Sequence, residues 1–343
     1  MTTASLIRRV PLFDGLDTQA LDDVLRIFER VEFSAGDHLT RQGYPADSAY
    51  IVESGSADVV TALPGGGTAT VAQLQPGAML GEMALLESGM CSATVIAREA
   101  MVSYRITREG FRMLLAQRVP AVFTIQQRII RALCQRLRTL NAKVVAADVE
   151  DPAVSDLQPV ALATHPVDES FDVPAFLPML TPFREFAPTD IAALHAASRV
   201  MHIRRGEPLF GQGAAGDTAY IVVRGALELT VRRGGELQRI GILGPGRFCG
   251  ILALIEDQAH SMQATAREHT TLLALDRAAF MRFFNGHDTS ALKLQQAINR
   301  ELLQALSRTN NHLTRLISSM QVRGRSVAAD LQKALATQDC RAA

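Results

Sequence analysis

With 343 residues and 35 Lys+Arg balanced by 35 Asp+Glu, the chain has no formal net charge and lacks the general positive field that drives nonspecific nucleic-acid binding. Its length suits two domains at about 150 residues each, and a hydrophobic share of 48% is enough for two ordinary cores. Aromatic residues make up 5% and Trp is absent, which argues against a stacking surface for single strands.

Cys91, Cys134, Cys249 and Cys340 stand apart with no Cys-x-x-Cys pair, so no metal or iron–sulfur site is expected. The opening Met1-Thr2-Thr3-Ala4-Ser5-Leu6-Ile7-Arg8-Arg9 has no apolar signal core, and no run reaches the roughly 18 apolar residues that cross a bilayer. The expectation is a reduced, soluble, cytoplasmic protein with no membrane partner.

The chain says almost the same thing twice. Gln42-Gly43, Asp47-Ser48-Ala49-Tyr50-Ile51-Val52 and Gly55 return as Gln212-Gly213, Asp217-Thr218-Ala219-Tyr220-Ile221-Val222 and Gly225. A constant offset of about 170 residues marks a domain duplication, since solenoid periods run about 20–50 residues. In the first copy Thr18 is a candidate cap for a helix whose Leu21, Val24, Leu25 and Phe28 follow three-and-four spacing. Strand-like runs follow over 48–52, 57–62, 68–74, 93–96 and 101–106, with Pro64-Gly65-Gly66-Gly67 as a hairpin tip. A long helical segment then opens at Pro120. Its Ile130, Leu133, Leu137, Leu140 and Val144 form a heptad seam.

The residues from 148 to 178 carry Pro152, Pro159, Pro166, Pro174 and Pro178 and read as an extended linker. The second copy begins its helix near Pro188-Thr189-Asp190, with Ile191 and Leu194 on the apolar face. Strand-like runs occupy 218–223, 226–232, 238–243 and 272–276, and Arg232-Arg233-Gly234-Gly235 is the matching tip. A closing helix carries Leu303, Leu306, Asn310, Leu313 and Ile317 at seam spacing, Asn310 being a residue type that fixes register in two-stranded coils. Two seams favour a homodimer through these helices; packing of each stripe on its own domain is the alternative. Short strands at regular intervals predict small antiparallel rolls.

A helix, a glycine-punctuated roll, the segment Gly81-Glu82-Met83-Ala84-Leu85-Leu86 and a long closing helix together resemble the cyclic nucleotide-binding domain of the bacterial cAMP receptor family and of kinase regulatory subunits. The resemblance implies an α+β, mainly β fold: two jelly-roll-like β-rolls, each followed by a long α-helix. It partitions the chain into a first roll (1–118), closing helix (119–147), linker (148–176), second roll (177–286), closing helix (287–318) and tail (319–343). The tail is too short for a helix-turn-helix module, so direct DNA binding is not expected.

In that family the Gly-Glu segment is a phosphate-binding cassette whose helix start faces the cyclic phosphate. Its Glu accepts from the ribose 2′-hydroxyl, and an Arg some nine residues on grips the phosphate with its guanidinium fork. Here Glu82 matches the Glu, but Cys91 stands in the Arg position, followed by Ser92-Ala93-Thr94 as the pattern requires. In the second copy Gly250-Ile251-Leu252 puts Ile251 in place of the Glu, and His260-Ser261 puts His260 in place of the Arg. Neither copy keeps both ligand-holding residues. The first cassette (Gly81, Glu82, Met83, Ala84, Cys91, Ser92, Ala93) is the candidate site for a nucleoside or a weakly held cyclic nucleotide. Its alternative is a Glu82 carboxylate merely tolerated at a helix start. The second cassette (Gly250, Ile251, Leu252, His260, Ser261) reads as empty or structural, because no carboxylate remains to orient a sugar.

Cys91 and Cys249 invite a redox reading, although a lone buried cysteine more often serves as a small hydrophobe. Arg8-Arg9-Val10-Pro11 resembles the basic pseudosubstrate of kinase regulatory subunits but stands before the first domain, where it also reads as a helix lead-in. With no nucleophile–base pair or phosphate-transfer loop, the chain is expected to be a non-enzymatic sensor that signals through a protein partner. A ligand in copy one would draw its closing helix over the pocket. A ligand-free scaffold and a regulatory subunit of a kinase or other enzyme are the alternatives.

Overall fold

The computed structural model describes residues 6–62, 68–147, 171–233 and 236–322. The expected tip at 64–67, the Gly234-Gly235 tip, the linker from 148 to 170 and the tail beyond 322 lie outside them. The chain divides into two compact units: Met1–Ala132 with Ile317–Ala343, and Leu133–Leu316.

In the first unit a 3-10 turn, Pro11–Phe13, leads into α1 (Thr18–Leu25). The cap is Asp17 and not Thr18: Asp17 holds extended backbone and its carboxylate accepts from Ala20 N at 2.8 Å. Arg8 donates to Leu16 O at 3.0 Å and Thr18 Oγ1 at 3.3 Å, so the basic pair's first member braces this lead-in.

The roll comprises β1 (Phe28–Phe33), β2 (His38–Thr40), β3 (Pro45–Ala46), β4 (Ser48–Ser54), β5 (Ala57–Ala62) and β6 (Thr68–Leu74). It continues with β7 (Met79–Leu80), α2 (Met83–Leu86), β8 (Gly89–Met90), β9 (Thr94–Ala97) and β10 (Met101–Thr107). One antiparallel sheet runs β1-β10-β4-β7 and the facing sheet β2-β9-β5-β6, with β3 and β8 as a separate ribbon. Alternate side chains enter the core between the sheets, where Leu39, Val52, Val59, Leu74, Val95 and Met101 meet. Strands β1 and β2, too short or too charged to announce themselves, complete the two sheets. Gly55 turns the β4–β5 hairpin at φ +80°, and a Cβ there would stand 2.6 Å from the Met101 Cβ. Only glycine satisfies both the dihedral and the space.

Next come α3 (Arg108–Ala116), whose cap Thr107 accepts from Gly110 N at 3.1 Å, and the 28-residue α4 (Pro120–Ala147). Pro120 takes the tolerated first-turn place. The seam expected to join two chains is covered within one: Ile130, Leu133, Leu137, Leu140 and Val144 are all buried.

The second unit contains the α4 residues from Leu133 onward and a lead-in of α5 (Val173–Phe176) with 3-10 turns at Leu177–Met179 and Thr181–Phe183. Pro174 and Pro178 therefore start helical turns, where the missing N–H costs nothing, rather than extending a linker. Then follow α6 (Pro188–Ala196), β11 (Arg199–Ile203), β12 (Pro208–Phe210), β13 (Thr218–Arg224), β14 (Leu227–Arg233) and β15 (Glu236–Leu243). The rest is β16 (Phe248–Cys249), α7 (Ile251–Glu256), β17 (Gln263–Ala266), β18 (Thr270–Asp276), α8 (Arg277–Phe284) and α9 (Thr289–Val322). Its sheets, β11-β18-β13-β16 and β12-β17-β14-β15, repeat the first roll's order. On α9, Leu306 and Leu313 are buried, Leu303 is half-buried and Asn310 is exposed within the single chain. The side chain of Ile317 lies outside the described residues.

Candidate functional site

Both cassettes are built the same way. Gly81 and Gly250 take φ +78° and +79°, and a Cβ on either would sit 2.7 Å from Ser48 O or 2.6 Å from Thr218 O. The glycine lets the backbone just before each short helix press onto β4 or β13. Arg108 binds the first cassette from behind, Nε to Ala84 O at 2.7 Å and Nη2 to Ala46 O. In the second roll Arg277 makes the counterpart of the Ala46 bond, to Gly216 O at 2.9 Å.

The backbone also places Cys91 and His260 in one position. Cys91 N donates to Tyr44 O at 2.8 Å and its O accepts from Gly43 N; His260 N donates to Ala214 O at 2.9 Å and its O accepts from Gly213 N. In the first roll Gly81, Glu82 and Met83 are half-buried, Ala84 and Ala93 are buried and Ser92 is exposed. Glu82 opens α2 in helical backbone without capping it through its side chain. Burial raises the Cys91 thiol, whose Sγ lies 3.9 Å from Pro45 O, so the cation of the family pattern is replaced here by a neutral group.

The second roll differs in chemistry. Ile251 is 2% exposed, an apolar residue turned into the core where the pattern has a carboxylate. His260 is buried and lies flat on Phe210, centroids 3.7 Å apart at 8°, and burial lowers its pKa, so it is neutral at pH 7. Phe210 in turn stacks on Tyr220 at 6.1 Å. The first roll has Thr40 where the second has Phe210, and Thr40 Oγ1 donates to Ala93 O. Burial pushes the Cys249 thiol up to about 12, which leaves no thiolate for redox chemistry at neutral pH.

The expectation of an empty or structural second cassette covers only part of what is present. Beside Gly250, Ile251, Leu252, His260 and Ser261 opens a cavity of about 620 Å³, a size suited to a small organic ligand. Its far wall comes from residues the cassette pattern does not contain: Leu137, Arg138 and Asn141 of α4, and Glu301, Arg308 and Thr309 of α9. Arg138 Nε pairs with the buried Glu256 at 2.6 Å and Nη1 donates to Ala259 O at 3.2 Å. Glu301 pairs with Arg247 at 2.7 Å and Arg308 at 3.3 Å; burial nonetheless raises its carboxyl to about 7. Thr309 Oγ1 donates to Asn141 Oδ1 at 3.2 Å, joining the two helices. Leu137, Arg138, Asn141 and Val144 of α4 thus line the second unit's cavity. Spacing within α4 signalled its apolar face but not what that face covers. Among the described residues no cluster of His, Cys, Asp or Glu is arranged to hold a metal ion, and no helix is long and apolar enough to cross a membrane.

A cyclic nucleotide-binding domain model matches residues 30–118 and again 200–287, one match per roll. The cAMP-dependent protein kinase regulatory subunit of Blastocladiella emersonii is 24% identical over 272 residues, covering 79% of this chain and 56% of that protein. The corresponding subunit of Dictyostelium discoideum is 22% identical over 303 residues, covering 87% of this chain and 78% of that protein. The chain thus spans little more than half the length of the first relative. The co-crystal structure of the regulatory domain of Toxoplasma gondii PKA with cAMP aligns over 84% of this chain and 92% of that one, at 21% identity and a TM-score of 0.31. Matched twice, over more than half of its length, this chain belongs to the cyclic nucleotide-binding domain family.

Proposed function

We propose that the chain is a non-enzymatic regulatory sensor that acts on a protein partner, in the manner of a kinase regulatory subunit. The observation that carries this reading is the pair of domain matches within one alignment to regulatory subunits covering 79% to 87% of the chain. A scaffold without ligands explains the two rolls but not a cavity of about 620 Å³ beside the second cassette. In the first roll the retained Glu82 supports a nucleoside or nucleotide ligand held through its sugar. With Cys91 in the arginine position, the anionic end of a cyclic nucleotide loses a charge-assisted contact of about 1.5–3 kcal/mol, so a neutral nucleoside competes well. The reading places the protein in the cytoplasm, with its output carried by the partner.

Two measurements test it. Affinity capture of the tagged chain from its own source, followed by mass spectrometry, is expected to retrieve a kinase catalytic subunit or a comparable enzyme in stoichiometric amount. Calorimetric titration with adenosine, guanosine, cAMP and cGMP is expected to give heat that Glu82→Ala abolishes. Silence for all four ligands sinks the nucleoside reading, and capture of no enzyme sinks the regulatory-subunit reading.

A further inference from the structure

We infer that the second unit's cavity binds a small aromatic organic anion whose charge is received by Arg138, an arginine supplied by α4 instead of by the cassette. The proposal rests on family membership and on this cavity, and is independent of what the first roll binds.

Three features exclude a sugar phosphate held in the family's way. Ile251 offers no acceptor to a ribose hydroxyl, His260 is neutral, and one face of its ring is covered by Phe210. What remains on the wall is a flat aromatic pair, apolar side chains such as Leu229 and Leu302, and guanidinium groups from outside the cassette. Arg138 uses Nε and Nη1 in its bonds to Glu256 and Ala259, whereas its Nη2 is buried with no hydrogen-bond partner among the described residues. A buried N–H left unmade is costly, and a ligand oxygen would relieve it. The charge count points the same way. The lining carries two guanidiniums, Arg138 and Arg308, against one carboxylate, Glu301; Glu256, whose Oε1 is itself buried without a hydrogen-bond partner among the described residues, pairs with Arg138 from outside that lining. An aromatic body satisfies the Phe210–His260 wall and an anionic group satisfies the guanidinium; neither a neutral nucleoside nor a cation does both.

The test uses the full chain and calorimetric titration with 2-naphthoate, with 2-naphthalenemethanol as the uncharged counterpart. Naphthoate is expected to bind at least tenfold more tightly than the alcohol. The double variant Arg138→Gln/Glu256→Gln removes the ion pair without stranding a buried carboxylate, and should erase that preference, read as the ratio of the two affinities. Ala305→Trp, which fills the cavity, should abolish both; Glu82→Ala should change neither. If the double variant does not fold, Arg138→Lys keeps the charge but loses the fork and should cut the preference severalfold. Equal or undetectable binding of the two probes overturns the proposal, as does an unchanged preference in the Arg138 variants, which would confine the guanidinium to bracing Glu256. Displacement of naphthoate by adenosine or cAMP also overturns it. None of these failures bears on Glu82, whose variant is read with nucleosides.

Discussion

Glu301 sits between two opposing effects. Burial disfavours its charge, while Arg247 and Arg308 favour it, and the outcome is a carboxyl raised to about 7 from 4.5. The folded state therefore holds this proton across a window in which the unfolded chain has released it. Stability from this group is greatest below the unfolded value and is lost as pH rises toward 7. A tenfold difference in proton affinity between folded and unfolded chains is worth about 1.4 kcal/mol, so urea unfolding should show a decline on the order of 2–3 kcal/mol between those limits, flattened in Glu301→Gln. Asp190 works in the opposite sense. Burial pushes its carboxyl up, but hydrogen bonds from Lys293 at 2.6 Å, Ser290 at 2.7 Å and Ala187 N at 2.8 Å outweigh this and lower it. Its stabilisation is present above the unfolded value and disappears as pH falls through the folded one. Asp190→Asn should cost about 1–3 kcal/mol at pH 7 and much less in acid, measured by the same unfolding series.

Among the elements, the two cassette helices depend on a backbone that only glycine supplies. Gly250→Ala would place a methyl carbon 2.6 Å from Thr218 O at φ +79°, so the expected loss is at least about 2 kcal/mol. The variant should also weaken any ligand of the second cavity, since α7 would lift away from β13. The long helices carry a different lesson. A heptad pattern cannot distinguish a seam between chains from a stripe packed inside one, because both need the same periodic apolar face. Leu140 is 2% exposed within the chain, which favours a stripe packed inside one chain for α4. Leu140→Ala should destabilise the protein by about 2–5 kcal/mol while light scattering reports an unchanged molar mass. A drop in mass would restore the intermolecular seam.

For the molecule as a whole, the compact units divide at Ala132 and Leu133, inside a continuous helix rather than at a loop. Two units with separate cores predict two calorimetric transitions, and Asp190→Asn, confined to the second unit, should lower only one of them. A single transition that shifts as a whole would show the two units to unfold together. The repeat laid bare the duplication, and the strands over 57–62 and 68–74 fell where alternation placed them. The edges of the sheets were less legible: β2 and β12 are three residues long, and periodicity needs more length than that to declare itself.

The retained Glu82 and the departures at Cys91, Ile251 and His260 were readable because cassette chemistry is local: a glycine, a helix start and a residue some nine positions on are fixed by one short stretch of chain. That stretch pointed to the fold family and put Cys91 and His260 where the resemblance leads one to expect an arginine. The cavity wall was not readable, because Arg138, Phe210 and Glu301 come from segments far apart in sequence whose approach depends on how helices pack on a roll. Burial of the α4 stripe, the flat pairing of His260 with Phe210 and the unmatched guanidinium N–H are products of that packing. Local sequence specifies residue type and periodicity; long-range contacts decide which residues share one desolvated space.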